Sequence, residues 1–226
     1  MLNKRWKKRF SRWFKLRFAI MYPFGIWAVF SRYSTDASIS RSLWFILLGI
    51  LIRCWANGYA VKMEKLTTSG PYAYVRNPLY LGTFLIMIGF LIMLNIPLVW
   101  ALFFVSVVIW FIYGKTVKNE EKILQEKFRE EYLAYKKHVP AFSPALSPYK
   151  LGDKWGWSFI RYLKSQEYKL FLWVIILIIA FHLKEEFFVE RENIDFKIMI
   201  LSIAAVCLSL IDAVGEFFRK GGKGFV

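Results

Sequence analysis

Two stretches of the chain hold residues whose types and spacing suit chemistry. The first runs from Lys62 to Gly82, KMEKLTTSGPYAYVRNPLYLG. Gly70 frees the backbone there, while Pro71 and Pro78 remove donors and restrict the residues before them. Arg76 and Asn77 stand just ahead of an apolar run and need partners. Tyr72, Tyr74 and Tyr80 supply flat rings and hydroxyls. Irregular backbone near membrane depth is tolerated where it is buried in protein or lines a cavity. A polar cavity lined by aromatic faces and amides suits an adenosine-type ligand. The same residues also fit a tight loop that only anchors a helix end. The second stretch is Asn119–Glu120–Glu121, with Phe128, Glu131, Tyr132, Tyr135, Val139 and Pro140 downstream. Paired carboxylates just beyond a span can hold an amino or cationic group; they can equally face water along a solvated helix. His138 and His182 are each a lone imidazole near a span end, where a hydrogen-bonded structural role is expected. Cys54 and Cys207 lie in apolar runs and suggest neither a disulfide framework nor a zinc site.

The elements that must position these residues are membrane-like. Of 226 residues, 57% are hydrophobic and 19% aromatic, and the mean hydropathy is positive. Against 16 acidic residues stand 32 Lys and Arg, for a formal charge of +16. Such a balance suits nucleic acid or an anionic membrane surface. The apolar runs select the membrane, since a spanning helix takes about 20 mostly apolar residues; no nucleic-acid partner is expected. The runs fall at residues 18–30, 43–56, 79–94, 98–113, 170–183 and 198–211. The fold class is therefore all-α, a polytopic membrane protein of about six spans. Several runs are short and need aromatic or snorkelling ends, among them Arg53 in the second. Asn95–Ile96–Pro97 makes a break so tight that the third and fourth spans form a helical hairpin. Residues 31–42 read as a polar loop and 115–137 as one charged helix. Residues 138–168, with Pro140, Pro144 and Pro148, read as an irregular surface segment followed by an interfacial one.

Residues 2–17 alternate bases with Trp6, Phe10, Trp13 and Phe14 at helical spacing, as in a helix lying among lipid headgroups or a solvated basic tail. No small-residue cleavage pattern follows the first run, so no signal peptide is read. Basic residues crowd 2–17, 62–76, 115–137 and 219–223, whereas 184–197 is rich in acids. Six spans place all four basic regions on one side, with both termini cytoplasmic.

Taken together, the two stretches resemble the isoprenylcysteine carboxyl methyltransferase family and its phospholipid N-methyltransferase relatives. The pattern is Gly70–Pro71–Tyr72, then Arg76–Asn77–Pro78–Leu79–Tyr80–Leu81–Gly82 opening a helix, then a hairpin. Glu120–Glu121, Tyr132…Tyr135 and Val139–Pro140 follow. The resemblance covers roughly 43–144, flanked by an N-terminal part at 1–42 and a C-terminal part at 145–226 with two extra spans.

The resemblance implies an integral membrane methyltransferase that uses S-adenosylmethionine in a cytoplasmic pocket. It implies that Leu66, Thr67, Tyr72, Asn77, Pro78, Leu79 and Tyr80 line the cofactor. Glu120 and Glu121 would meet its charged methionine end or the methyl acceptor. Arg76 would bind the cofactor carboxylate or brace the loop. Asn77 stands where carboxyl-methylating members often have His; it can donate and accept hydrogen bonds but cannot titrate near neutrality. An acceptor carboxylate needs no base, whereas an amine would use Glu120 or Glu121. Because the site is at the bilayer, the partners expected are membrane lipids and a lipid-like or lipidated acceptor; the sequence leaves the oligomeric state open. A membrane sterol-type reductase using NADPH shares an Arg–His–Pro–x–Tyr element, but near its C-terminus and without the Glu–Glu pair. A non-catalytic membrane scaffold is the remaining alternative.

Overall fold

The computed structural model describes residues 32–61, 65–110 and 114–186. The basic stretch 2–17, the first and sixth apolar runs, most of the acidic loop and both termini lie outside them. Every regular element among the described residues is helical: α1 (Asp36–Tyr59), a single 3₁₀ turn (Gly70–Ala73), α2 (Pro78–Met93), α3 (Leu98–Val108), α4 (Gly114–His138), α5 (Phe159–Ser165) and α6 (Glu167–Glu185). Among the described residues, α1 is the one single helix both long and apolar enough to cross a membrane. Its 24 residues reach about 36 Å, against a hydrocarbon core of about 30 Å. α5 and α6 pass the same test as a pair bent by 63°, and α2 and α3 are apolar but shorter.

α1 begins earlier than the sequence suggests. The expected loop 31–42 is helical from Asp36, because Thr35 and Ser38 form a reciprocal capping box, which satisfies two of the helix's orphan donors. Its polar look has a packing cause. Ser38 and Ser42 are buried, and the Ser38 hydroxyl donates to the Met93 carbonyl at the far end of α2, 2.7 Å away. Small residues continue the seam, as in membrane helix pairs whose backbones approach closely. A Cβ on Gly49 would sit 2.6 Å from the Gly82 carbonyl oxygen, and one on Gly89 would sit 3.1 Å from the Ser42 carbonyl oxygen. Ile46, Ile50, Ile86 and Met93 fill the space beside the seam, with Val174 and Phe181 arriving from α6.

The predicted hairpin is present. Asn95 takes a positive φ of 55°, a conformation Asn tolerates better than most residues, and its side chain donates to the Tyr33 carbonyl at 2.9 Å. Phe84, Ile88 and Leu91 of α2 then pack on Ala101 and Val105 of α3. At the same end, the Ser34 hydroxyl donates to the Phe181 carbonyl at 2.9 Å. The tip of the hairpin, the start of α1 and the end of α6 thus share one end of the bundle. The end of α1 and the starts of α2 and α6 share the other.

Two further expectations are corrected. Arg53 does not snorkel outward: it turns inward to Glu167, Leu79 and Thr83. Nor is 115–137 one straight helix. Arg129 (φ 44°, ψ −116°) breaks α4 in the middle, and Lys136 returns to within 2.8 Å of Glu121. That approach is impossible along a straight helix, where fifteen residues span about 22 Å. The fold also places the last irregular stretch, 139–158, across the 68–76 turn, as the bonds below show.

The helix seam generates a test. Gly49→Val should lower thermal stability by about 1–3 kcal/mol through overpacking. Gly156→Ala, where an added Cβ meets nothing within 4 Å, should leave the melting temperature in detergent unchanged.

Candidate functional site

The site grows from a break in the helical backbone. After Tyr59 the chain needs a turn before α2, and Gly70 supplies it with φ 61°, in close contact with the Tyr59 ring. Four of the backbone hydrogen-bonding groups between Ala73 and Asn77 find their partners on a segment more than 60 residues later. The Arg76 amide donates to the Pro140 carbonyl at 2.9 Å, and the Asn77 amide to the Ala141 carbonyl at 3.2 Å. In the other direction, the Ala145 amide donates to the Tyr74 carbonyl at 2.8 Å and the Tyr149 amide to the Ala73 carbonyl at 2.9 Å. The Asn77 side chain adds a bond to the Ala141 carbonyl at 3.1 Å. The Tyr135 hydroxyl donates to the Tyr72 carbonyl at 2.6 Å. Buried polar backbone demands such partners, and here they pin 139–149 onto the turn.

Pinning that segment also docks α4. Tyr132, Tyr135 and Val139 are buried with Leu66, and Leu124, Phe128 and Tyr149 pack around them. The cluster brings the paired carboxylates to the turn. Arg76 Nη1 donates to Glu121 Oε1 at 2.5 Å and to the Tyr132 hydroxyl at 3.3 Å. Lys136 Nζ takes the other Glu121 oxygen at 2.8 Å. The Tyr80 hydroxyl donates to Glu120 Oε1 at 2.9 Å. Adjacent carboxylates on one helix therefore grip two different residues of the motif. The Arg76 and Glu121 side chains are only 12% and 15% exposed, so their pairing is largely shielded from solvent. Arg76 Nε is buried without a hydrogen-bond partner among the described residues, which leaves one donor of the guanidinium for a further acceptor.

Burial raises the Tyr132 phenol above its ordinary value. The Glu121 charge adds to the rise, and Arg76 opposes it. Burial likewise pushes the Tyr135 and Tyr72 phenols up; at Tyr72 the Arg53 charge opposes the rise and Glu167 adds to it. All three therefore stay protonated through neutral pH.

Of the residues read from the sequence, Arg76, Tyr80, Glu120 and Glu121 meet between the start of α2 and the second turn of α4, and Asn77 beside them bonds Ala141. Tyr72 and Leu66 join them through Tyr135 and Tyr132. Pro78 is fully buried at the first turn of α2. Thr67 and Leu79 make other contacts: the Thr67 hydroxyl accepts from the Val61 amide at 3.1 Å, and the Leu79 carbonyl accepts from Arg53 at 3.0 Å. His138 has the structural bond expected of it, to the Ala134 carbonyl at 2.8 Å. Lys136 was missed, and no sequence signal distinguishes it from the neighbouring bases of α4. A second layer was missed as well. The Asp153 carbonyl accepts from Thr68 at 3.1 Å and Ser69 at 2.8 Å, and the Trp155 ring donates to the Tyr59 carbonyl at 2.8 Å.

Residues 24–131 match the family model described as phospholipid methyltransferase. The rat protein-S-isoprenylcysteine O-methyltransferase is 38% identical over 99 residues, covering 42% of this chain and 34% of that protein. The enzyme of the same name from Schizosaccharomyces pombe is 32% identical over 130 residues, covering 52% of each. The cobalt-zinc-cadmium resistance protein CzcN of Cupriavidus metallidurans is 32% identical over 115 residues, covering 49% of this chain and 50% of that protein. The chain thus spans from a third to about half the length of these relatives. No solved structure matches it significantly.

Removing one partner of the buried pair should be costly. Glu121→Gln leaves Arg76 and Lys136 without their shared anion, and a loss of about 3 kcal/mol is expected. Lys136→Gln, whose side chain is 41% exposed, should cost well under half of that in the same thermal-unfolding series.

Proposed function

We propose, from the match of residues 24–131 to the phospholipid methyltransferase family model and the likeness to protein-S-isoprenylcysteine O-methyltransferases, that this chain moves a methyl group from S-adenosylmethionine to a lipid-modified acceptor at the membrane surface. Support comes from one observation above all. Arg76 and Tyr80 reach Glu121 and Glu120, 45 and 40 residues further on, so both halves of the motif meet beside a guanidinium whose buried Nε has no hydrogen-bond partner among the described residues.

The residues present fit such a donor. Arg76 Nε would take its carboxylate and Glu120 its ammonium, with the Tyr80 and Tyr72 rings and the Asn77 amide as the aromatic and polar walls for an adenosine. When bound, the donor supplies an already activated methyl on a sulfonium, so the protein needs no strong nucleophile of its own. The chain's task is to align and to exclude water. Glu121, held from both sides by Arg76 and Lys136, is a fixed structural anion rather than a mobile base. Glu120, tied to the Tyr80 hydroxyl, is the carboxylate placed to orient the donor. A carboxylate acceptor is the better fit, because it attacks without losing a proton and Asn77 cannot take one up. The likeness to proteins named protein-S-isoprenylcysteine O-methyltransferase favours the same acceptor. The acceptor would enter from the lipid side of a bundle of six spans with both termini cytoplasmic.

Calorimetry on the detergent-purified chain tests this reading. S-adenosylmethionine should bind saturably, and Glu120→Ala should weaken binding by roughly tenfold, the effect of losing one charge-assisted hydrogen bond. Binding of NADPH instead would replace the reading with a reductase. Binding of neither by folded protein would replace it with a scaffold.

A further inference from the structure

Glu167 opens α6, beyond the segment that matches the family. Its carboxylate meets Arg53, which lies within the apolar run of α1. The two side chains are 14% and 17% exposed. Charges so far out of water persist only where every hydrogen-bonding site is filled. Here Arg53 Nε and Nη2 each take one Glu167 oxygen, at 2.9 and 2.6 Å, in the two-point fork that suits a guanidinium and a carboxylate. The remaining nitrogen, Nη1, donates to the Leu79 carbonyl at 3.0 Å and to the Thr83 hydroxyl at 2.6 Å. Gly82 makes the passage possible, since a Cβ there would lie 2.6 Å from Arg53 Cγ.

The target of this fork is specific. Leu79 sits between Pro78 and Tyr80, and α2 has no side-chain cap of its own at Asn77. The orientation of its first turn sets where the Tyr80 hydroxyl meets Glu120. A hydrophobic pair would pack α1 against α6 at least as stably, but it would leave the Leu79 carbonyl unheld by Arg53. We propose that Glu167 is a positioning residue for the methyl-donor site, acting through Arg53 on the first turn of α2, so that the C-terminal segment completes a site whose other residues lie in the family core. The inference rests on the donor reading above and deepens it.

The experiment compares the full chain with Glu167→Gln, Glu167→Asp and the exchange Arg53→Glu/Glu167→Arg, all in detergent. It reads S-adenosylmethionine affinity by calorimetry and the melting temperature with and without the donor. Glu167→Gln should bind the donor roughly tenfold more weakly, the coupling usual for residues in one network, and should lose most of the donor-induced rise in melting temperature. Glu167→Asp, which keeps the charge, should recover at least half of the lost affinity on a logarithmic scale. The exchange should not recover it, because a carboxylate at 53 cannot donate to the Leu79 carbonyl. Unchanged affinity in folded Glu167→Gln would overturn the proposal, as would full recovery by the exchange, which would mark a purely structural pair. Absence of donor binding by the unsubstituted chain would overturn the donor reading and this inference together.

Discussion

The structure depends on a break in a helix where a break is hardest to accommodate. Between Ala73 and Asn77 the backbone is irregular, and it lies directly before an apolar helix. Peptide groups there cannot be left unpaired. The chain solves this with residues 140–149, whose backbone exchanges four hydrogen bonds with the turn. Everything else near the site follows from that pairing. It brings Tyr132 and Tyr135 under the turn, closes Leu66 into a cluster with them, and delivers α4 with its carboxylates to Arg76 and Tyr80.

Two arginines then fix the start of α2 from different directions. Arg76 holds α4 through Glu121, and Arg53 holds α6 through Glu167. Each is mostly shielded, and each contacts more than one partner. In a partly buried setting the ion pair alone contributes little net stability, and the desolvation of the charges offsets much of their attraction. Their effect is on geometry. They allow one arrangement of the first turn of α2 and penalise others by stranding a charge. The glycine and serine seam between α1 and α2 works in the same direction, because backbones that touch leave no room for sliding.

Much of this was legible in the sequence where the signal is local. Gly70–Pro71, Asn95–Ile96–Pro97 and the apolar runs among the described residues announce their turns and helices by residue type alone, and the Arg76-to-Gly82 motif holds the arginine and tyrosine that meet the paired carboxylates. Other features depend on distant residues and were not legible. Ser38 and Ser42 look like loop residues until α2 is beside them. Arg53 looks like a snorkelling end, because its carboxylate partner is 114 residues away. The break of α4 at Arg129 falls on a residue with no glycine, proline or asparagine to announce it. Its positive φ is strained for an arginine, and the contacts of Tyr132 and Lys136 with the Arg76–Glu121 pair hold it in place. Thr67 and Leu79 were assigned by resemblance alone, and their polar contacts turn to Val61 and Arg53.

On the proposed reading, the turn and the α4 segment form one donor-binding unit. Hydrogen–deuterium exchange on the detergent-solubilised chain, with and without S-adenosylmethionine, tests it most directly, since local opening is read peptide by peptide. The account predicts that amides in 70–80 and in 118–149 gain protection together when the donor is added, while 98–108 stays unchanged. Protection confined to one of the two segments, or to neither, would contradict it.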